Sequence, residues 1–273
     1  MDIPKNGVIF FDSGIGGLTV LAECRARIPE EIFYYYGDNV HAPYGNLPKD
    51  TVQKFVFAAF KKMELLQPKA AVLACNTATA LCVDCLRKKY AFPIIGAEPA
   101  IFAAAKQGGT VFVLTTRATY ESARFQNLCK KTQQIYPNCR LFLQPCDALA
   151  GEIERNIQLK NWDVAPFLPT GNPDGVVLGC THYIYVKEDI AQFYNAKIYD
   201  GNVGMANRLQ SLLPKTDTFY AENPLNTSAF FDNIFFLGKC KWSNKRIYEQ
   251  MFGTKTPPNG CRVVKNPKKL KKI

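Results

Sequence analysis

The chain has 273 residues, 47% hydrophobic and 21% charged, a balance that excludes a disordered chain and allows one large domain or two small ones. Its net charge of +11 suggests a nucleic-acid binder, but from Pro257 onward Arg262, Lys265, Lys268, Lys269, Lys271 and Lys272 stand without an acidic residue, leaving only +5 on the body. Met1-Asp2-Ile3-Pro4-Lys5-Asn6 carries no charged-then-apolar leader, no apolar run approaches membrane-spanning length, and the ten cysteines are diluted through a long chain, so free thiols in a reducing cytoplasm are expected.

Taken in order, Gly7 to Phe11 reads as a buried strand, and Asp12-Ser13-Gly14-Ile15-Gly16-Gly17-Leu18-Thr19 as the turn that opens a helix. The glycines suit a tight turn, and the helix start offers free N–H groups to an anion such as a carboxylate. Their spacing is not that of a dinucleotide fingerprint. Ile32 to Tyr36 is a second strand, followed by the turn-rich Gly37 to Gly45. Lys49 to Leu66 has helical periodicity, with Val52, Phe55, Val56, Ala59, Phe60 and Met63 on one face. Ala70 to Ala74 is a third strand, ending at Cys75, and a helix to about Tyr90 and a short strand at Pro93 to Gly96 follow.

A second, similar series begins there. Thr110 to Leu114 is a strand, and Thr115 to Ser122 looks like a capped helix start. A strand at Arg140 to Leu143 and a helix at Asp147 to Ile157 come next, then loop-like sequence from Lys160 to Pro173. Gly175 to Gly179 is a strand ending at Cys180. Later come a helix, a strand near Ala196 to Gly201, a helix to about Leu213 and a last strand at Ala229 to Leu237. Strands alternating with helices imply an α/β fold with mainly parallel sheets flanked by helices. Two such series imply two similar lobes with the active site in the cleft between them. The expected first lobe is discontinuous, 1–97 plus 207–256, the second is 98–206, and 257–273 is a basic tail, solvated or docking an acidic partner.

The chain writes one pattern twice: Leu73-Ala74-Cys75-Asn76-Thr77 and Leu178-Gly179-Cys180-Thr181-His182 each put a thiol and polar groups after an apolar strand. Ligands of open α/β sheets bind at the carboxyl ends of strands, so these thiols are candidates to face one pocket. A free thiol with pKa ~8.5 is only about 3% ionised at neutral pH. A helix N-terminus or a nearby imidazolium raises that fraction, and His182 is placed to act on Cys180. Asp12 is placed to orient Cys75 or take its proton if the first strand lies beside the third. A single nucleophile, as in a Cys-His hydrolase, remains open on spacing alone. Proton exchange at a stereocentre, by contrast, needs a donor on each face, and hence two thiols. Cys82 and Cys85 form a C-x-x-C inside an apparent helix with no second pair at zinc spacing. Cys24, Cys129, Cys139, Cys146, Cys240 and Cys261 read as small buried hydrophobes.

Phe11-Asp12-Ser13-Gly14-Ile15-Gly16-Gly17-Leu18-Thr19-Val20, Pro43-Tyr44-Gly45, Ala74-Cys75-Asn76-Thr77-Ala78 and Leu178-Gly179-Cys180-Thr181-His182-Tyr183 together resemble the glutamate racemases, of the cofactor-independent aspartate/glutamate racemase family. The resemblance implies two α/β lobes and a two-base reaction in which Cys75 and Cys180 exchange the α-proton of glutamate, using neither pyridoxal phosphate nor metal. It implies that Asp12 assists Cys75 and His182 assists Cys180. Ser13, Tyr44, Gly45, Asn76, Thr77 and Thr181 would hold the substrate's amino and carboxylate groups, with Thr119 and Glu154 as further members and Glu152 competing with Glu154. It also implies a bacterial enzyme making D-glutamate for peptidoglycan and thus cell shape, a homodimer, and neither nucleic-acid nor membrane partners. Ile184 departs from the family's usual proline after His-Tyr, and Ile95 to Pro99 is compressed. Rival readings are a racemase of aspartate or another acidic amino acid, and a racemase-fold binding protein that uses its basic tail.

Overall fold

The computed structural model describes residues 5–157, 162–213 and 234–237. The basic tail at 257–273, residues 229–233 of the last expected strand and residues 160–161 of the long loop lie outside the described residues. The first series forms β1 (Val8–Asp12), α1 (Gly17–Arg27), β2 (Phe33–Gly37), α2 (Lys49–Met63), β3 (Ala70–Leu73), α3 (Asn76–Lys89) and β4 (Ile94–Gly96). The second forms α4 (Ile101–Ala105), β5 (Gly109–Thr115), α5 (Arg117–Tyr120), α6 (Ala123–Ile135), β6 (Cys139–Pro145), α7 (Leu149–Asn156), β7 (Gly175–Gly179), α8 (Lys187–Tyr194) and β8 (Lys197–Tyr199). α9 (Asn202–Leu212) and β9 (Ile234–Leu237) follow.

Two sheets result, a five-stranded one in the order β4-β3-β1-β2-β9 and a four-stranded one in the order β6-β5-β7-β8, and every strand pair in them is parallel. Apolar runs such as Val8-Ile9-Phe10-Phe11 are buried throughout because helices cover both faces of each sheet. Alternate side chains point to opposite faces. Val8, Phe10, Phe33, Tyr35 and Val72 therefore pack with α1 and α9, while Ile9, Phe11, Tyr34, Ala71 and Leu73 pack with α2 and α3. The second sheet divides in the same way, with Phe112, Leu114, Val176 and Leu178 toward α7 and α8, and Val111, Val113 and Val177 toward α4 and α6.

Read outward from the first strand of each lobe, both sheets share one winding. The second strand lies on one side of the first, and the third and fourth lie on the other. The crevice where the winding reverses falls between β1 and β3 in one lobe and between β5 and β7 in the other, and such crevices receive ligands. Cys75 follows β3 and Cys180 follows β7, so the two thiols occupy equivalent places. α9 returns the chain to the first sheet, its Met205, Ala206 and Leu209 packing with Leu18 and Leu21 of α1. The expected boundary between residues 206 and 207 falls inside this one helix.

Candidate active site

Each half of the site begins with a strand end. β1 and β3 are neighbours with Phe11 opposite Leu73, which sets Asp12 and Ser13 beside Ala74 and Cys75. Cys75 caps α3, and its Sγ accepts the Ala78 N–H at 3.4 Å. Its thiol also meets the Ser13 hydroxyl at 3.5 Å. Burial, then the nearby charges of Asp12 and Cys180, push the Cys75 thiol up to about 12. Rising from 9 to about 12 corresponds to about 4 kcal/mol against the thiolate. The Ala78 N–H and Ser13 bonds already pull the other way within that balance, so burial wins and Cys75 rests as a neutral thiol.

The Cys180 half is built differently. The segment after it, Thr181–Val186, is a 3-10 helix rather than the start of an α-helix, and the help comes from an imidazole. Cys180 Sγ lies 3.7 Å from His182 Nδ1, and His182 Nε2 lies 2.8 Å from Glu154 Oε1. Burial disfavours a charged ring, but the bonds to Cys180 and Glu154 outweigh it and hold the His182 pKa well above the usual histidine range. Glu154, not Glu152, is thus the carboxylate that meets His182; Glu152 pairs with Arg155 and Asn156 on α7.

The two halves interlock. Asp12 Oδ1 accepts the Gly14 N–H at 2.8 Å, and its Oδ2 accepts the Thr181 hydroxyl at 3.2 Å. Burial raises the Asp12 pKa, with the His182 charge and those bonds opposing. The structure thus sets Asp12 near Cys75 as a charge, bonded to Thr181. In the turn before α1, Glu154 Oε1 accepts the Ile15 N–H at 3.2 Å. Tyr185 donates to the Ile15 carbonyl at 2.8 Å, and Tyr35 to that of Gly14 at 2.8 Å. Thr77 Oγ1 meets Thr116 Oγ1 at 2.9 Å and Thr119 Oγ1 at 3.4 Å, tying α3 to the second lobe. Gly45 sits against Thr116, and the neighbouring Asn46 amide donates to the Asp147 carbonyl at 3.0 Å. Asn76, with Cys180 and Thr181, lines a space of only about 10 Å³.

The glycines of the Asp12 loop also answer to a contact that the sequence does not show. Gly14 and Gly16 do not adopt positive φ. A Cβ at Gly14 would overlap Glu154 Oε1, and one at Gly16 would sit 2.7 Å from Thr181 Cβ. These glycines let the second lobe approach. Sequence reasoning also missed Tyr35, Tyr185 and Thr116 as site-building hydroxyls, since aromatic residues near apolar strands carry no mark distinguishing a bonded phenol from plain core. Cys146 lies close enough to Cys180 to feel its charge; burial first, then Asp147 and Cys180, push its thiol to about 12. Among the described residues no group of three or more His, Cys, Asp or Glu is arranged to hold a metal, and no helix is long and apolar enough to cross a membrane.

Comparison with known proteins gives one answer from sequence and structure. The family model described as Asp/Glu/Hydantoin racemase matches residues 19–208. The chain is 35% identical over 246 residues to glutamate racemase of Clostridium botulinum strain Hall, covering 85% of this chain and 93% of that protein. It is 37% identical over 227 residues to the Clostridium acetobutylicum glutamate racemase, covering 80% and 88%. The Escherichia coli glutamate racemase in complex with L-glutamate and activator UDP-MurNAc-Ala superposes with a TM-score of 0.73 at 26% identity, over 91% of this chain and 96% of that one. The Francisella tularensis glutamate racemase in complex with D-glutamate gives 0.72 at 26% identity, over 92% and 95%.

Proposed function

The chain belongs to the Asp/Glu/hydantoin racemase family, and on that premise we propose that it interconverts L- and D-glutamate with Cys75 and Cys180 as opposed acid and base. The observation that carries this reading is the pair of thiols at equivalent strand ends of two lobes that interlock across the cleft.

At rest, charged His182 faces Cys180, while Cys75 keeps its proton. Cys180 is then the base for the enantiomer that turns its α-hydrogen toward it. The C–H bond breaks, its electron pair moves onto the α-carbon and adjoining carboxylate, and the proton goes to sulfur. Cys75 delivers its own proton to the opposite face. The enzyme is left with Cys180 protonated and Cys75 ionised, the state that runs the other enantiomer. Asp12 assists at Cys75, where its carboxylate is the nearby charge that, after burial, most favours the protonated thiol. His182 assists at Cys180, and Glu154 positions His182. Ser13, Tyr44, Gly45, Asn76, Thr77, Thr119 and Thr181 are the proposed hosts of the α-ammonium and carboxylate groups.

Peptidoglycan synthesis in a bacterial cytoplasm is the proposed destination of the D-glutamate, and a homodimer the proposed assembly. The lobes are proposed as 1–97 with the chain returning in α9, and 98 to the start of α9. Racemisation of L-glutamate, D-glutamate and both aspartates, followed by circular dichroism, tests the substrate. Activity on aspartate with none on glutamate would overturn it.

A further inference from the structure

Behind the Pro43-Tyr44-Gly45 turn lies a pair of side chains that the reaction above does not use. Asp38 follows β2, and its backbone N–H bonds the Asp12 carbonyl at 2.9 Å, rooting it beside the site. Its carboxylate receives the Tyr44 hydroxyl at 2.6 Å and faces His41 Nδ1 at 2.8 Å. A carboxylate only accepts, so Nδ1 is the ring nitrogen that carries hydrogen. The imidazole also stacks on Phe55 of α2, with centroids 3.8 Å apart, while the side chain stays 40% exposed. Tyr44 is buried, its ring packed against Phe11 and Phe55, and it lies near enough to Cys75 to feel that thiol's charge. Its next neighbours, Gly45 and Asn46, touch Thr116 and Asp147 of the second lobe.

We propose that His41 is a positioning residue for the substrate-binding turn. Its Nδ1–H orients Asp38, Asp38 fixes the Tyr44 hydroxyl, and the fixed ring sets where Tyr44 and Gly45 stand against Thr116. The chain runs from a partly exposed imidazole to a buried turn in two hydrogen bonds, and neither His41 nor Asp38 touches the reacting atoms in this role. The turn's place in substrate binding rests on the racemase reading; the hydrogen-bonded link from His41 to Tyr44 does not.

Two substitutions separate the hydrogen bond from the packing. His41→Phe keeps a ring to stack on Phe55 and removes the donor. His41→Asn places an amide N–H where Nδ1 stood and removes the ring. The proposal expects His41→Phe to raise the KM for glutamate about tenfold, the scale of one charge-assisted hydrogen bond, with kcat within about twofold. It expects His41→Asn to recover most of that loss. In a Tyr44→Phe background, His41→Phe should cost nothing further, because the link is already cut. A reversed order, with the asparagine variant impaired and the phenylalanine variant normal, would assign the effect to stacking and overturn the proposal. So would an undiminished tenfold loss in the Tyr44→Phe background. A readout independent of turnover is the Tyr44 Cζ resonance in tyrosine-labelled protein, assigned by its absence in Tyr44→Phe. It should move in His41→Phe and stay near its wild-type position in His41→Asn. Wild-type protein inert toward glutamate would fail the function, while the Cζ shift would still judge the link.

Discussion

Asp12 and Thr181, from opposite lobes, share a hydrogen bond of 3.2 Å across the cleft. The same carboxylate raises the Cys75 pKa by its charge, second only to burial. Asp12→Asn removes the charge and keeps most of the shape. Cys75 should then ionise more readily, so its alkylation by iodoacetamide at pH 8 accelerates. Racemisation should fall by about 10²-fold as the assisting group is lost. Reactivity and catalysis moving in opposite directions is the expected signature, read by mass mapping of Cys75 and by polarimetry. A parallel fall in both would argue that Asp12 promotes ionisation of the thiol.

With Cys75 at about 12, its thiolate fraction rises about tenfold per pH unit throughout the neutral and mildly alkaline range. Its alkylation rate should follow that slope between about pH 7 and pH 9.5. A plateau below pH 9 would place the Cys75 pKa lower and overturn its reading as a thiol held protonated by burial.

Cys75→Ser and Cys180→Ser should each lower racemisation by about 10²- to 10⁴-fold, since a hydroxyl is a far weaker acid and base at this position. The check is circular dichroism together with α-proton exchange in heavy water, run from each enantiomer. A variant keeping a tenth of wild-type turnover would remove its sulfur from the reaction.

Glu154→Gln removes one of the bonds that keep His182 charged. The folded pKa of His182 lies above its unfolded value of about 6.5, so the stabilisation is fully present below that value and is lost as pH rises through the folded pKa. The melting-temperature gap between wild type and Glu154→Gln should therefore be largest near pH 6 and narrow toward alkaline pH. The alkaline limit of activity should also move down in the variant. A gap widening with pH contradicts a charged His182.

Gly16→Ala tests the reason for the glycines. Gly16 has φ −57° and ψ −39°, which alanine adopts without strain, so stability should hold within about 1 kcal/mol. In the closed site the new methyl would stand 2.7 Å from Thr181 Cβ and 2.9 Å from the His182 backbone nitrogen. Turnover should fall more than about tenfold while the melting curve barely moves. A large loss of stability instead would mean that the glycine serves the first lobe alone.

Much of this was legible in the sequence because of one physical circumstance. Parallel strands covered on both faces write continuous apolar runs, so Ala70-Ala71-Val72-Leu73 and Gly175-Val176-Val177-Leu178 announced where each thiol would emerge. The partners of those thiols were less visible. Glu152 and Glu154 lie two residues apart on α7 and point to different sides, and no local rule says which side faces a cleft formed by distant chain. Thr116 was legible as a helix cap, and it is one, but its bond to Thr77 depends on how two lobes meet. Tyr185 follows the expected motif by two positions, and its phenol finds Ile15 only through that same meeting.

Two hydrogen bonds, Thr181 to Asp12 and the Ile15 N–H to Glu154, join the lobes beside the thiols. Moving the two lobes apart to admit an amino acid would break the Thr181–Asp12 and Glu154–Ile15 hydrogen bonds together, and closing them would restore both. If the closed lobes keep solvent from the thiols, the deuteron that marks the first product in heavy water is one already on sulfur when they closed. Isotope bookkeeping over a single turnover would then report the memory of the previous opening rather than the composition of the bulk at the moment of reaction.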